Sequence, residues 1–221
     1  MITTLDTIFL KDAFGNSFPA AVVPIGASSS PLNAAAHVLL DQYGNAIATT
    51  TNPLFVSPIQ SVVAASFTRP ANTTAYASGY LVANATVVGN VVPLSWNVAR
   101  YAGGSASIGR ARMRKSNTTN TYGTFRLHLY NQIPTPSNGD GAAWLTQSAG
   151  YVGSFFFDFT GANARVFTDV AKIIAVPEVG TTAIIETVSP SLQLYGFLEA
   201  RAAYVPVASE VITISLEVQQ N

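Results

Sequence analysis

Val211-Ile-Thr-Ile-Ser-Leu-Glu-Val218 alternates without a fault, with Val211, Thr213, Ser215 and Glu217 on one side and Ile212, Ile214, Leu216 and Val218 on the other. A period of two residues is the mark of a β-strand with one wet and one dry face. Phe125-Arg-Leu-His-Leu-Tyr130 repeats the pattern. Outward from these two runs, the chain from residue 59 breaks into short segments rich in Val, Ile, Thr, Phe and Tyr, separated by Gly-Gly, Asn-Gly, Pro and Ser/Asn/Thr clusters. The spacing predicts strands at 61–67, 79–83, 94–100, 107–115, 124–130, 151–159, 172–176, 183–188, 192–200 and 211–218. No stretch sustains a helical period, so the crossover helices of a parallel α/β fold are missing. An all-β jelly-roll or β-sandwich domain over 59–221 is the expectation.

Residues 1–58 are punctuated differently and read as an N-terminal extended arm or small hairpin module. Asp12-Ala-Phe-Gly-Asn16 and Asp41-Gln-Tyr-Gly-Asn45 are near-copies of one pattern. Gly and Asn tolerate positive φ and Asp can bond the following backbone, so each suits a tight reversal. Phe9, Val22, Val23 and Ile47 are the strand candidates beside them. Ala27-Ser-Ser-Ser-Pro31 reads as a loop, and residues 32–40 are open between helix and strand. Residues 49–58, with Pro53 and Pro58, read as an extended connector. A second long loop, from Asn131 through Ala149, carries Trp144, which suits either a plug for the end of a sandwich or an interface anchor.

Charged residues make up only 10% of the 221 residues, and formal net charge is zero, against ~25% charged in ordinary soluble domains. Small neutral polar groups must therefore cover the surface, as in proteins that live packed against neighbours. Zero net charge also argues against a dedicated nucleic-acid binder. The charge is unevenly placed: residues 42–139 hold seven Lys/Arg and no acid, whereas residues 140–221 hold three Lys/Arg and eight acids. Opposite-signed halves suit docking of one subunit on another; a dipolar sandwich with no partner is the plain alternative. Cysteine is absent, which removes disulfides, thiolate catalysis and Cys-based zinc sites. The first ten residues lack a basic segment and carry Asp6, unlike a secretory signal, and no apolar run reaches the ~18 residues of a membrane span. Synthesis and assembly in a cytoplasm is the expectation, which makes the sequons at Asn72, Asn84 and Asn117 incidental.

The sharpest local feature is Ile108-Gly-Arg-Ala-Arg-Met-Arg-Lys115. On a strand, Arg110, Arg112 and Arg114 share one face, with Ile108 leading the same row and Ala111 and Met113 behind it. The row, with Lys115 and Arg126, is the candidate docking surface. Its partner could be an acidic patch on a neighbouring subunit, a phosphate-bearing ligand or a nucleic-acid backbone; the plain alternative is a solvated face with Arg stems lying over apolar surface. Reaction chemistry is not legible. His37 and His128 have no second ligand at metal spacing, and His128 alternates with Arg126 and Tyr130 as a surface strand histidine would. Asp158, Asp169, Glu178, Glu186, Glu199, Glu210 and Glu217 offer carboxylates without a spacing that selects a glycosidase pair. Asn138-Gly-Asp-Gly141 is a turn rather than a calcium loop, and Gly103-Gly104 lacks the context of a phosphate loop. No catalytic, metal or cofactor-binding residue is assigned.

Three stretches carry a resemblance. Residues 41–57, with Asp41-Gln-Tyr-Gly-Asn and Asn52-Pro-Leu-Phe-Val-Ser57, resemble segments of small structural proteins of tailed bacteriophages. Residues 66–84, Ser-Phe-Thr-Arg-Pro-Ala-Asn-Thr-Thr-Ala-Tyr-Ala-Ser-Gly-Tyr-Leu-Val-Ala-Asn, and the Phe125-Arg-Leu-His-Leu run are similar to two further segments of such proteins. Tyr80 departs from the pattern, where an acid is usual. Together they cover about a third of the chain. The resemblance implies a capsid decoration (cement) protein, often a homotrimer, on the outer capsid surface of the virion where major capsid protein subunits meet. It implies no enzyme activity, no direct nucleic-acid partner and no membrane. A tail- or fibre-associated receptor- or carbohydrate-binding module, using Tyr101, Tyr122, Tyr130 or Trp144, is the alternative.

Overall fold

The computed structural model describes residues 8–11, 17–20, 59–117, 123–146, 148–160, 165–167, 171–175, 178, 184–186 and 191–220. The chain divides into two units, Met1–Ser57 and Pro58–Asn221. In the first, β1 (Ile8–Lys11) and β2 (Ser17–Ala20) pair antiparallel, Ile8 opposite Ala20 and Lys11 opposite Ser17. This flanks the first Asp-x-aromatic-Gly-Asn copy. The second copy, Val22, Val23, Ile47 and the connector at 49–58 lie outside the described residues.

The second unit is all-β. Its strands are β3 (Ile59–Thr68), β4 (Tyr80–Val82), β5 (Leu94–Asn97), β6 (Ser105–Lys115), β7 (Thr124–Tyr130), β8 (Tyr151–Asp158), β9 (Arg165–Val166), β10 (Ala171–Ala175), β11 (Ile184–Glu186), β12 (Gln193–Ala200) and β13 (Val211–Gln220). Every pairing is antiparallel. One sheet runs β3-β13-β6-β10-β9 with β11 also on β6; the other runs β4-β12-β7-β8 with β5 also on β12. Among the described residues the one helical element is a 3-10 turn at Val88–Asn90. The architecture is a two-sheet β-sandwich, and each expected strand from 61–67 to 211–218 has an observed counterpart.

The dry side of the opening run is the centre of the core. Ile212, Ile214, Leu216 and Val218 are buried, and one cluster joins them to Met113, Trp96, Leu194 and Leu198 and to Phe125, Leu127, Leu129, Phe155 and Phe157. Full burial of such side chains contributes about 1.5–3 kcal/mol each. Trp96 ties the sheets together: its Nε1–H donates to the Ile214 carbonyl at 3.0 Å. Gly196 makes room for it, since a Cβ there would stand 2.9 Å from the indole.

One local expectation changes. The register between β13 and β6 slips so that Glu217 faces Arg110 while Val218 faces Ile108. Gly109 is the extra residue of a β-bulge, and a bulge reverses the alternation beyond it. Ile108 therefore points into the core, 1% exposed, and does not share the row of arginines. Arg110, Arg112 and Arg114 keep theirs.

Candidate functional site

Three groupings of polar side chains stand out, and they differ in what surrounds them. The first is the outer face of the larger sheet. There Arg110, Arg112 and Arg114 lie opposite Glu217, Ser215 and Thr213 of β13. Glu217 answers two of the three: Arg112 Nη2 pairs with its Oε1, and Arg110 Nη1 lies 3.7 Å from its Oε2. Arg114 is exposed, and the Arg110 side chain keeps 58% of its surface in water. Toward β3 the face is small and neutral, with Gln60, Val62, Ser107 and Gln219 lining a groove of about 500 Å³ with Arg110, Arg112 and Glu217, while on the other side β10 sets Lys172 opposite Arg114 in register. Glu217 belonged to the wet side of the β13 run; its place against the arginines came only with the strand register.

The second grouping is buried, and it holds the Phe-Thr-Arg-Pro motif. Arg69, just past β3, pairs with Asp140 at 3.0 Å, the two side chains 1% and 2% exposed. Asp140 also accepts from Tyr76 Oη at 2.5 Å and from the Ala83 backbone N–H at 2.8 Å, and Arg69 Nε donates to Tyr76 Oη. Tyr76 stacks on Tyr204, ring centroids 6.1 Å apart. Tyr204 Oη in turn accepts from Lys115 Nζ at 2.8 Å and donates to Glu210 at 2.5 Å. Lys115 Nζ lies 3.6 Å from the Glu210 carboxylate, over the rings of Tyr204, Phe159 and Phe125. Burial pulls the ammonium down to about 8, against the attraction of Glu210. Burial, then the neighbouring carboxylates, push both tyrosine hydroxyls far above their ordinary range, so both stay donors. Lys115 is fully enclosed, because it falls on the inward row with Ala111 and Met113; it is withdrawn from the docking surface.

The third grouping lies on the outer face of the smaller sheet. Arg126 makes a two-pronged pair with Glu178 at 2.9 and 2.8 Å, and Ser154 Oγ donates to the same carboxylate. His128 Nε2 lies 2.8 Å from Glu199, whose other oxygen accepts from Arg201 at 2.9 Å. Burial works to raise both carboxyl groups, but these hydrogen bonds outweigh it and hold Glu178 and Glu199 below the usual carboxylate range. A glycosidase needs one carboxyl group kept protonated as an acid, and neither is. Arg126 is raised by the hydrogen bond to Glu178 and is already paired, so it adds little to a docking surface.

Trp144 completes this face rather than closing an end of the sandwich. The 131–149 loop returns beside β4: Gly141 N–H donates to Leu81 O, Leu81 N–H to Ala142 O and Trp144 N–H to Gly79 O, at 2.6–2.9 Å. Asp140 anchors it from below, and Gly139 lets it pass, since a Cβ there would lie 1.9 Å from Thr86 O. The indole then lies parallel over His128 at 4.5 Å and edge-on to Phe197 at 6.0 Å. Tyr151, 45% exposed, stands beside His128 and Tyr130. Burial pushes Tyr130 up to about 12.

Among the described residues, no cluster of three His, Cys, Asp or Glu is placed to hold a metal ion, and no helix is long and apolar enough to cross a membrane. No family model and no curated protein matches the chain. Among solved structures, it is similar to a carbohydrate-binding module, CBM28, specific for non-crystalline cellulose (TM-score 0.28, 10% identity, 66% of this chain and 94% of that one). It is also similar to a decameric BFDV capsid protein (0.24, 12%, 73% and 98%) and to the Mud Crab Dicistrovirus structure (0.23, 10%, 94% and 90%). Likeness at this level leaves the function to the geometry of the chain itself.

Proposed function

We propose that this chain is a structural protein of a tailed-phage virion, a non-enzymatic capsid decoration protein that clamps neighbouring major capsid protein subunits on the outer shell. The observation that carries the reading is the outward row of Arg110, Arg112 and Arg114, in which one carboxylate, Glu217, answers two of the three guanidinium groups. Such a face suits an acidic patch on a neighbour, which would steer the encounter and set its register. The polar clusters elsewhere are closed on themselves, with Glu178 and Glu199 held below the usual carboxylate range and Tyr76 and Tyr204 held protonated, which fits bracing better than turnover. Two of the three segments that carry the phage resemblance are described, and both are used as structure: Arg69 and Tyr76 belong to the buried network and Phe125 to the core. The test is capsid occupancy of the triple variant Arg110→Glu/Arg112→Glu/Arg114→Glu. We expect it to fold and to be lost from purified shells; full occupancy overturns the docking role.

One observation favours a second reading, a tail- or fibre-associated carbohydrate-binding module. Tyr151 stands exposed next to the stacked Trp144–His128 pair, beside the planar polar groups of Arg126 and Glu178, a mixture suited to sugar rings and hydroxyls. Copy number in purified particles separates the two: hundreds of copies fit decoration, a handful fits the tail.

A further inference from the structure

Among the described residues, the edges of the two sheets differ in length and in what meets them. β4 is covered by the 139–144 segment through three backbone hydrogen bonds. β8 is met by Glu178, whose N–H donates to the Ser154 carbonyl at 3.1 Å, and it ends on Asp158. β5, β11 and β9 are four, three and two residues long. Short strands, covered edges and edge charges are the usual devices against strand-to-strand association.

β3 has none of them. Ile59-Gln-Ser-Val-Val-Ala-Ala-Ser-Phe-Thr68 is ten residues long and, among the described residues of its unit, terminates its sheet and pairs only with β13. It contains no charged residue and no proline. Among the described residues of the second unit, no loop or further strand bonds to its open side; β5 of the other sheet packs nearby without a backbone hydrogen bond to it. Its inward side chains Val63, Ala65 and Phe67 are only partly buried, whereas Ile212, Ile214 and Leu216 beside them are 0% exposed. Val62, on the outer side, is 58% exposed.

We propose that the open edge of β3 is a self-association surface, on which β3 of a second copy pairs antiparallel about a two-fold axis and joins the two larger sheets into one. An uncharged strand meets no repulsion from its own copy. Paired with its own copy about a two-fold axis, β3 makes an isologous contact, which closes at two chains. This is a two-fold pair, unlike the trimer that the phage resemblance implies, and it stands whether or not the virion role does. Pairing would also complete the burial of Val63, Ala65 and Phe67.

The test uses the full chain. Light scattering after gel filtration should give a dimer, and the Val62→Lys/Ala64→Lys variant should shift it toward monomer. The chain has no cysteine, so single cysteines report without background. Of Val62→Cys, Ala64→Cys and Ser66→Cys, the one nearest the axis should form an intermolecular disulfide within the dimer. Ser215→Cys, opposite Ala64 but one strand further in, should not. If the lysine variant fails to fold, the cysteine series still decides. A monomeric wild-type chain, including one whose β3 amides are shielded by its own residues 1–57, overturns the proposal. So does a dimer that cross-links at Ser215 and not on β3.

Discussion

Arg110 and Lys115 stand on one strand, yet they live in opposite worlds. Arg110 keeps most of its side chain in water and shares a carboxylate at 3.7 Å. Lys115 has no exposed surface and is enclosed by the rings of Phe125, Phe159 and Tyr204 and by the Glu210 carboxylate. The difference is desolvation. Exposed ion pairs are worth roughly 0–1 kcal/mol, so the arginine row can remain under-paired and available to a partner. A buried charge must be answered within the molecule, because stranding it costs several kcal/mol. The same contrast separates Arg114 from Arg69, whose pair with Asp140 is 1% and 2% exposed. These four cations thus divide into those that can serve a partner, Arg110 and Arg114, and those that brace the fold, Lys115 and Arg69.

The largest expected effect comes from breaking a brace. Asp140→Ala strands the Arg69 guanidinium, removes the acceptor of Tyr76 and the Ala83 N–H, and unfastens the loop that carries Trp144. We expect a loss of about 3–5 kcal/mol in denaturant unfolding; a loss below about 1 kcal/mol would place Asp140 with the surface pairs instead. Next in size is a pH effect. The Lys115 ammonium is lowered from 10.5 to about 8 in the folded protein, so between those values the unfolded chain binds more protons. Stability from this group therefore rises from about pH 8 toward 10.5, by about 3 kcal/mol in total. Below pH 8 the full penalty remains. The rise should vanish in Lys115→Met/Glu210→Gln, measured as the change in unfolding free energy with pH; a rise that survives in the double variant belongs to other groups. The smallest effect should come from the arginine row. Arg110→Ala/Arg112→Ala/Arg114→Ala should change stability by no more than about 1 kcal/mol, and a larger loss would make the row a second brace.

Much of the fold was legible because it follows from local periodicity. Alternation in 124–130 and 211–218 set the inward rows that became the core, and turn chemistry marked the gaps between strands. The outward direction of Arg110, Arg112 and Arg114 needed only the same period of two. The reversal at Ile108 did not follow from it, since a bulge at Gly109 is a property of the pairing with β13. Trp144 was visible as a loop aromatic, but the surface it covers is assembled from β7 and β12, far apart in the chain.

Taken alone, then, the sequence determined the all-β class, the strands, and the absence of cysteine chemistry, because those depend on residue type and near-neighbour spacing. Only the tertiary structure decided which charges face water and which are enclosed. Lys115 reads like any basic strand residue until Tyr204 and Glu210, from the other end of the chain, close over it. Whether a charge is free to meet a partner depends on the dielectric around it, and that is set by contacts between distant segments.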